Sequence, residues 1–289
     1  MNLKKKKKIV LVLGGGGTKC LSYIGIIRVL ESRGLEISEY VGTSMGGLVA
    51  SLAAAGITSG GMAKIALPVS KKDFLDLNLA ELLMYQTRAS SVFKGEKLAE
   101  FIRQIIPVRD FKKLPKPLFI NAVDLVTGKN IFFGSHGYDH VPVHDVVYAS
   151  CAIPGVFAPK KIGDGYYADG GVVDNLPIRF AESRDPDLII AAMPRFKSFP
   201  DRWDIEKEGG IVGTILRTNS MMIRAMLTNQ VQTCSKPLIL IEPDLTDNEL
   251  FSFDNINRMI FRGEHAALKI LDNHPALKDT PRLRFRRGQ

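Results

Sequence analysis

Ser44 sits in the run Gly42-Thr43-Ser44-Met45-Gly46-Gly47, which reads Gly-x-Ser-x-Gly, with an apolar segment before it and the small-residue segment Leu48 to Ala55 after it. This is the setting of a nucleophile elbow, a sharp strand-to-helix turn that lifts a serine hydroxyl clear of a sheet. Glycines at 42 and 46 suit such a turn, because a Cβ would clash where the backbone doubles back. A helix beginning at the serine would aim its free N–H groups and the positive end of its dipole at the site. A serine hydroxyl attacks only when a base takes its proton and donors face the oxyanion that forms. Both must come from elsewhere in the chain.

The loop Gly14-Gly15-Gly16-Gly17-Thr18-Lys19 can supply the donors, since consecutive glycines let successive N–H groups converge on one anion. A nucleotide phosphate cradle is the competing reading. The loop lacks the Gly-Lys-Ser/Thr ending of a P-loop, and Lys19 stands where the dinucleotide fingerprint needs a glycine.

Candidates for the base are few. His265 and His274 are the histidines late in the chain, and both fall in or beside a helical pattern rather than a glycine-flanked loop. His136, His140 and His144 recur at four-residue intervals, but Gly137 and Pro142 interrupt them, so no helical metal-binding face is expected. Asp169 is the better candidate. It precedes Gly170-Gly171, which lets its backbone approach another loop closely. Partial burial would raise its pKa toward the range a general base needs. An Asp-Gly pair that merely starts a turn is equally consistent with the residue types.

The elements that must position these groups follow in order. Ile9 to Leu13 is a continuous apolar run, the mark of a buried parallel strand. After the glycine loop, Leu21, Ile24, Ile27 and Leu30 recur at helical spacing up to Gly34. Tyr40-Val41 is a short strand into the elbow, and Met45 to Ala55 is the helix behind it. Farther on come a helix over 95–106, a hairpin of strands 118–124 and 130–133, and a helix over 143–150. A turn-rich loop over 151–157, a strand over 188–193, a helix over 211–231, a strand over 238–241 and a helix over 256–271 complete the pattern. Strand-helix alternation predicts an α/β fold with a largely parallel central sheet flanked by helices. The stretch Phe74 to Tyr85 mixes apolar and charged residues. A helix packed on the core and a lid or lipid-contacting cap both fit it. No proline-glycine linker divides the chain, so one domain over 9–280 is expected between basic tails at 1–8 and 281–289.

With 289 residues, 45% of them hydrophobic, the chain can bury a large core. Its formal charge of +9 resides entirely in Lys4 to Lys8 and in Arg282, Arg284, Arg286 and Arg287, leaving a formally neutral body. Such tails read as solvated ends, with peripheral contact to an anionic membrane as the functional alternative. Nucleic-acid binding is not expected, because no aromatic residues interleave with the charge. Cys20, Cys151 and Cys234 are odd in number and widely spaced, which fits neither a disulfide framework nor a zinc site and favours a reducing compartment. The apolar run after the lysines is too short for a secretory signal, and no run approaches the ~18–20 residues of a membrane span. A cytoplasmic protein, soluble or peripherally attached to membranes, is the expectation.

Taken together, these segments resemble the patatin-like phospholipase family. Gly15-Gly16-Gly17-Thr18-Lys19 is similar to its oxyanion loop, which ends in a basic residue, and Gly42-Thr43-Ser44-Met45-Gly46-Gly47 to its elbow. Ala149 to Phe157 resembles the stretch before its acid, and Asp169-Gly170-Gly171 with Asn175-Leu176-Pro177 resembles its Asp-Gly-Gly motif. The resemblance covers residues 9–195 and implies a three-layer fold. It also implies a Ser44–Asp169 dyad without histidine, and an oxyanion hole from the N–H groups of Gly15, Gly16 and Gly17. The implied reaction is hydrolysis of acyl esters in phospholipids or neutral lipids through an acyl-enzyme, with no metal or cofactor. One position departs from the pattern: Cys20 stands where the family usually has glycine. A side chain fits there if the position is already helical. The departure and the basic tails raise the alternative of a lipid-binding protein that keeps the fold without the activity.

Overall fold

The computed structural model describes residues 7–77, 91–134, 138–195 and 210–272, with His274 and Leu277. At its centre lies Ile9–Leu13 (β1), buried on both faces. It pairs in parallel with Glu39–Gly42 (β2) on one side and Leu188–Ala192 (β9) on the other. Leu238–Ile241 (β10) extends the sheet beyond β9, and Leu118–Asp124 (β4) extends it beyond β2, both in parallel. The sheet then turns antiparallel: β4 pairs with Asn130–Gly134 (β5) and with Gly165–Asp169 (β8), which pairs with Lys160–Ile162 (β7). These eight strands form one sheet.

The twofold alternation of a strand decides the layers. Ile9, Leu11 and Leu13 enter one buried cluster, and Val10 and Val12 the other. The first is covered by Ser22–Ser32 (α1), Ser44–Ala54 (α2), Ser59–Ala66 (α3), Glu96–Ile105 (α4), Val143–Cys151 (α5) and Ile256–Leu271 (α8). The second is covered by Ile178–Ser183 (α6) and Gly210–Thr233 (α7) through Ile178, Ala181 and Ile223. The result is the α/β sandwich expected, with three layers. Among the described residues, no helix is long and apolar enough to cross a membrane.

Two of the stretches singled out above differ from the expectation. Residues 151–157 are not simply a loop: Gly155–Phe157 (β6) pairs in parallel with Ser91–Phe93 (β3) as a separate two-stranded sheet. The partner strands lie far apart in sequence, so no local signal marks them. In the stretch 74–85, residues 78–85 lie outside the described residues. Phe74 is buried against Phe101 and Phe253, with ring centroids 4.7 and 4.9 Å away. Asp76 accepts hydrogen bonds from the N–H groups of Gly95, Glu96 and Lys97, capping α4. This part of the stretch is core and cap. At the basic end, Lys8 is held rather than free: its Nζ lies 2.8 Å from Glu39, which Arg184 also pairs at 2.9 Å. Lys4 to Lys6 and the four C-terminal arginines lie outside the described residues.

Candidate active site

The elbow forms where β2 ends and α2 begins. Thr43 N–H bonds the Leu13 carbonyl at 3.0 Å, tying the turn to β1. Ser44 follows with φ = 54°, a left-handed conformation for a residue with a Cβ, which costs about 1–3 kcal/mol and persists only where the surroundings impose it. Two contacts do so. Ser44 N–H donates to Ser150 Oγ at 2.7 Å. Gly46 packs so closely under the glycine loop that a Cβ there would collide with the carbonyl oxygens of Leu13 and Gly14.

The glycine loop passes directly beside the serine. A Cβ on Gly15 would lie 3.1 Å from that of Ser44. Its N–H groups are not equivalent. Gly14 N–H bonds Ala192 at 2.9 Å, Gly15 N–H bonds the Asn175 carbonyl at 3.2 Å, and Thr18 N–H bonds Leu250 at 2.9 Å. Gly16 and Gly17 open the 3-10 helix Gly17–Leu21, where the first N–H groups have no intrahelical acceptor. Gly17 has φ = 57° with the Leu250 carbonyl packed against it. Lys19 lies within this helix, and its carbonyl accepts the Ser22 hydroxyl. Cys20 is fully buried in the same helix, and its thiol donates to the Gly14 carbonyl at 3.4 Å, which also accepts Tyr23 Oη at 2.8 Å. The position is helical, so the side chain fits without strain.

Asp169 reaches Ser44 from the antiparallel edge of the sheet. It ends β8 opposite Ala122 of β4, and its N–H bonds the Ala152 carbonyl at 2.9 Å. The carboxyl is buried, and burial raises its pKa to about 6, against the opposing effect of hydrogen bonds from the Ser44 side chain and the Gly171 N–H. The Gly171 bond, 2.7 Å to Oδ1, caps the 3-10 helix Gly170–Val172. Asp169 therefore starts a turn and faces the serine at once; the two readings of the sequence are compatible.

Several polar residues to which sequence reasoning gave no role hold this arrangement. Asn121, wholly buried on β4, accepts the Thr43 hydroxyl at 2.7 Å, donates to the Asp174 carbonyl at 2.8 Å and packs against Gly170. It links the elbow to the Asp-Gly-Gly turn. Asn175 links that turn to the glycine loop through Gly15. Asn121 lies in a strand, where a buried amide with no apolar role is the only available signal; Ser150 and Asn175 sit inside the motif stretches themselves.

Ser44 opens onto a pocket lined by Gly17, Met45, Cys151, Phe157, Phe251 and Phe253, among others. No histidine belongs to this lining among the described residues. His265 instead stacks near Phe261, and His144 is half-buried beside Asp145, its pKa lowered by burial. His136 lies outside the described residues. Among the described residues, no group of three or more His, Cys, Asp or Glu side chains is arranged to hold a metal ion.

Residues 11–182 match the model of the patatin-like phospholipase family. The chain belongs to the patatin-like phospholipase family. An NTE family protein of Mycobacterium tuberculosis is 33% identical over 178 residues, covering 62% of this chain and 46% of that protein. YqhO of Bacillus subtilis is 28% identical over 226 residues, covering 71% of this chain and 77% of YqhO. The probable lipid hydrolase 463L of Invertebrate iridescent virus 6 is 28% identical over 218 residues, covering 69% of this chain and 74% of that protein. This patatin-like chain spans about half the length of the mycobacterial relatives it matches. Among solved structures, VipD of Legionella pneumophila has the same fold, with a TM-score of 0.54 at 18% identity over 93% of this chain and 67% of VipD.

Proposed function

We propose that this protein is a lipid acyl hydrolase in which Ser44 is the nucleophile and Asp169 the general base. Family membership and the similarity to a probable lipid hydrolase support the substrate class. The mechanism is carried by the place of Asp169, a carboxyl buried at the end of β8 against the Ser44 side chain, where burial raises its pKa to about 6. Above that pH the carboxylate accepts the hydroxyl proton as Oγ attacks the ester carbonyl. The negative charge that develops on the carbonyl oxygen falls to the N–H groups of Gly16 and Gly17, with the dipole of α2 behind it. Gly15, whose N–H is engaged by Asn175, shapes the loop rather than donating. Collapse of the tetrahedral intermediate expels the alcohol, which takes the proton back from Asp169 and leaves the acyl group on Ser44. Water then attacks the acyl carbonyl with Asp169 again as base; the bond to Ser44 Oγ breaks, Oγ takes the proton back from Asp169, and the fatty acid is released.

The ester belongs to a phospholipid or a neutral lipid, and the basic tails offer peripheral contact with an anionic membrane. The non-catalytic alternative drew on Cys20, which is accommodated in a helix beyond Gly16 and Gly17. The test is labelling with a fluorophosphonate. The wild-type protein should become modified at the Ser44 peptide, identified by mass spectrometry, and Ser44→Ala should not. Labelling elsewhere, or none, would sink the proposal.

A further inference from the structure

The apolar pocket beside Ser44 does not end at its floor. Met45, Phe74 and Phe253 line it and also line a second cavity on their far side. That second cavity follows α2: Met45, Leu48, Val49 and Leu52 present one face of the helix to it, at the spacing expected of a helical stripe. Residues of α3 and α4 close it opposite, Ala66 and Ile105 among them, and every lining residue is apolar. No group in it could fix a polar head. A cavity lined in this way accepts an apolar guest and offers no partner to a polar one. The partition is built for adjustment on one side: Met45 is a flexible side chain, next in sequence to Ser44, whereas Phe74 is held in an aromatic cluster with Phe101 and Phe253.

We infer that the second cavity is a distal acyl subsite: the near pocket holds the first carbons beyond the ester, and the methyl end of a long hydrocarbon chain passes Met45 into the chamber between α2, α3 and α4. This rests on the reading of Ser44 as nucleophile, because Ser44 lines the near pocket alone. Met45, Phe74 and Phe253 then act as a specificity gate. Short acyl chains use the near pocket only. Longer chains gain from the second chamber, by up to about fourfold in kcat/KM per buried CH₂, the factor equivalent to about 0.8 kcal/mol.

The test is a chain-length profile of kcat/KM on p-nitrophenyl esters from butyrate to palmitate. Val69 and Ile105 lie half-buried at the chamber's lining, so Val69→Trp and Ile105→Trp fill the chamber without touching Ser44. Each should lower the long-to-short ratio at least about tenfold and leave butyrate turnover near wild type. Variant profiles parallel to wild type would overturn the inference. A second readout does not depend on turnover: binding of decanoate and hexanoate to Ser44→Ala protein by calorimetry. Decanoate should bind more tightly, and Val69→Trp in that background should abolish the difference; equal binding of both acids before and after the substitution would overturn the subsite. Retained ester cleavage by Ser44→Ala would instead overturn the assignment of the nucleophile, with the binding readout still reporting on the chamber.

Discussion

Asn175 holds Gly15 at two points: the Gly15 N–H donates to the Asn175 carbonyl at 3.2 Å, and Asn175 Nδ2 donates to the Gly15 carbonyl at 3.1 Å. The same side chain lies against Gly171, beside the Asp169 carboxyl. One residue thus fixes the spacing between the glycine loop and the Asp-Gly-Gly turn. Asn175→Ala should keep the main-chain bond and lose the side-chain one. Stability is expected to fall by about 1–3 kcal/mol in urea unfolding, because the Gly15 carbonyl is left buried without that partner. On an ester substrate, kcat should fall by as much as about a hundredfold with KM little changed, the cost of a small displacement at the reacting centre. Unchanged kcat in a stable Asn175→Ala protein would remove Asn175 from the positioning machinery.

A base with a pKa of about 6 must leave its mark on the pH dependence. In the proposed dyad only the ionised Asp169 can accept the serine proton, so kcat/KM should rise with pH through about 6 and level off above it. Asp169→Asn should lower activity by about two to four orders of magnitude and erase that acid limb from whatever rate remains. An acid limb that persists unchanged in the variant would assign it to another group.

The same carboxyl should cost the protein stability. Its folded pKa, about 6, stands above its ordinary value of 3.8. The folded state therefore binds more protons than the unfolded state between those values, and stability falls as pH rises through that window. The full cost, about 3 kcal/mol as an upper figure, is present above pH about 6 and absent below pH about 4. Asp169→Asn should raise the melting temperature at pH 8 and leave it nearly unchanged at pH 4. Equal effects at both pH values would show that the carboxyl is not held against its ionisation.

Cys20 offers a control on the family pattern. Its thiol is buried in the 3-10 helix that follows Gly16 and Gly17, donates to the Gly14 carbonyl and packs beside Gly16 and Tyr23. Cys20→Gly should therefore leave turnover close to wild type. It should lower stability by about 1–3 kcal/mol through the cavity and the added backbone freedom, read from the denaturant midpoint. A rise in turnover would mean that the thiol displaces the loop.

Much of this architecture was legible in the sequence because buried parallel strands read as apolar runs: Ile9–Leu13 and Leu188–Ala192 are unbroken, and Leu118–Asp124 is interrupted inside only by Asn121. Gly-x-Ser-x-Gly marked the elbow for a similar reason, since the turn tolerates few other residues. That Asp169 both starts a turn and lies buried against the serine was not legible, because it depends on the pairing of β8 with β4 and on the burial that follows. The hairpin carrying Asp169 was equally hidden: Lys160-Lys161-Ile162 has neither alternation nor an apolar run. Nor could the unequal N–H groups of Gly15, Gly16 and Gly17 be told apart, since the carbonyl that engages Gly15 belongs to a residue far along the chain.

The most direct test of the account is fatty-acid release from phospholipid mixed micelles and from a neutral lipid emulsion, measured in parallel for wild type, Ser44→Ala and Asp169→Asn proteins shown to be folded. The dyad predicts release by wild type on at least one of these substrates and a near-complete loss in both variants. Release by Ser44→Ala or Asp169→Asn at the wild-type rate, or none by any of the three on either substrate, would contradict it.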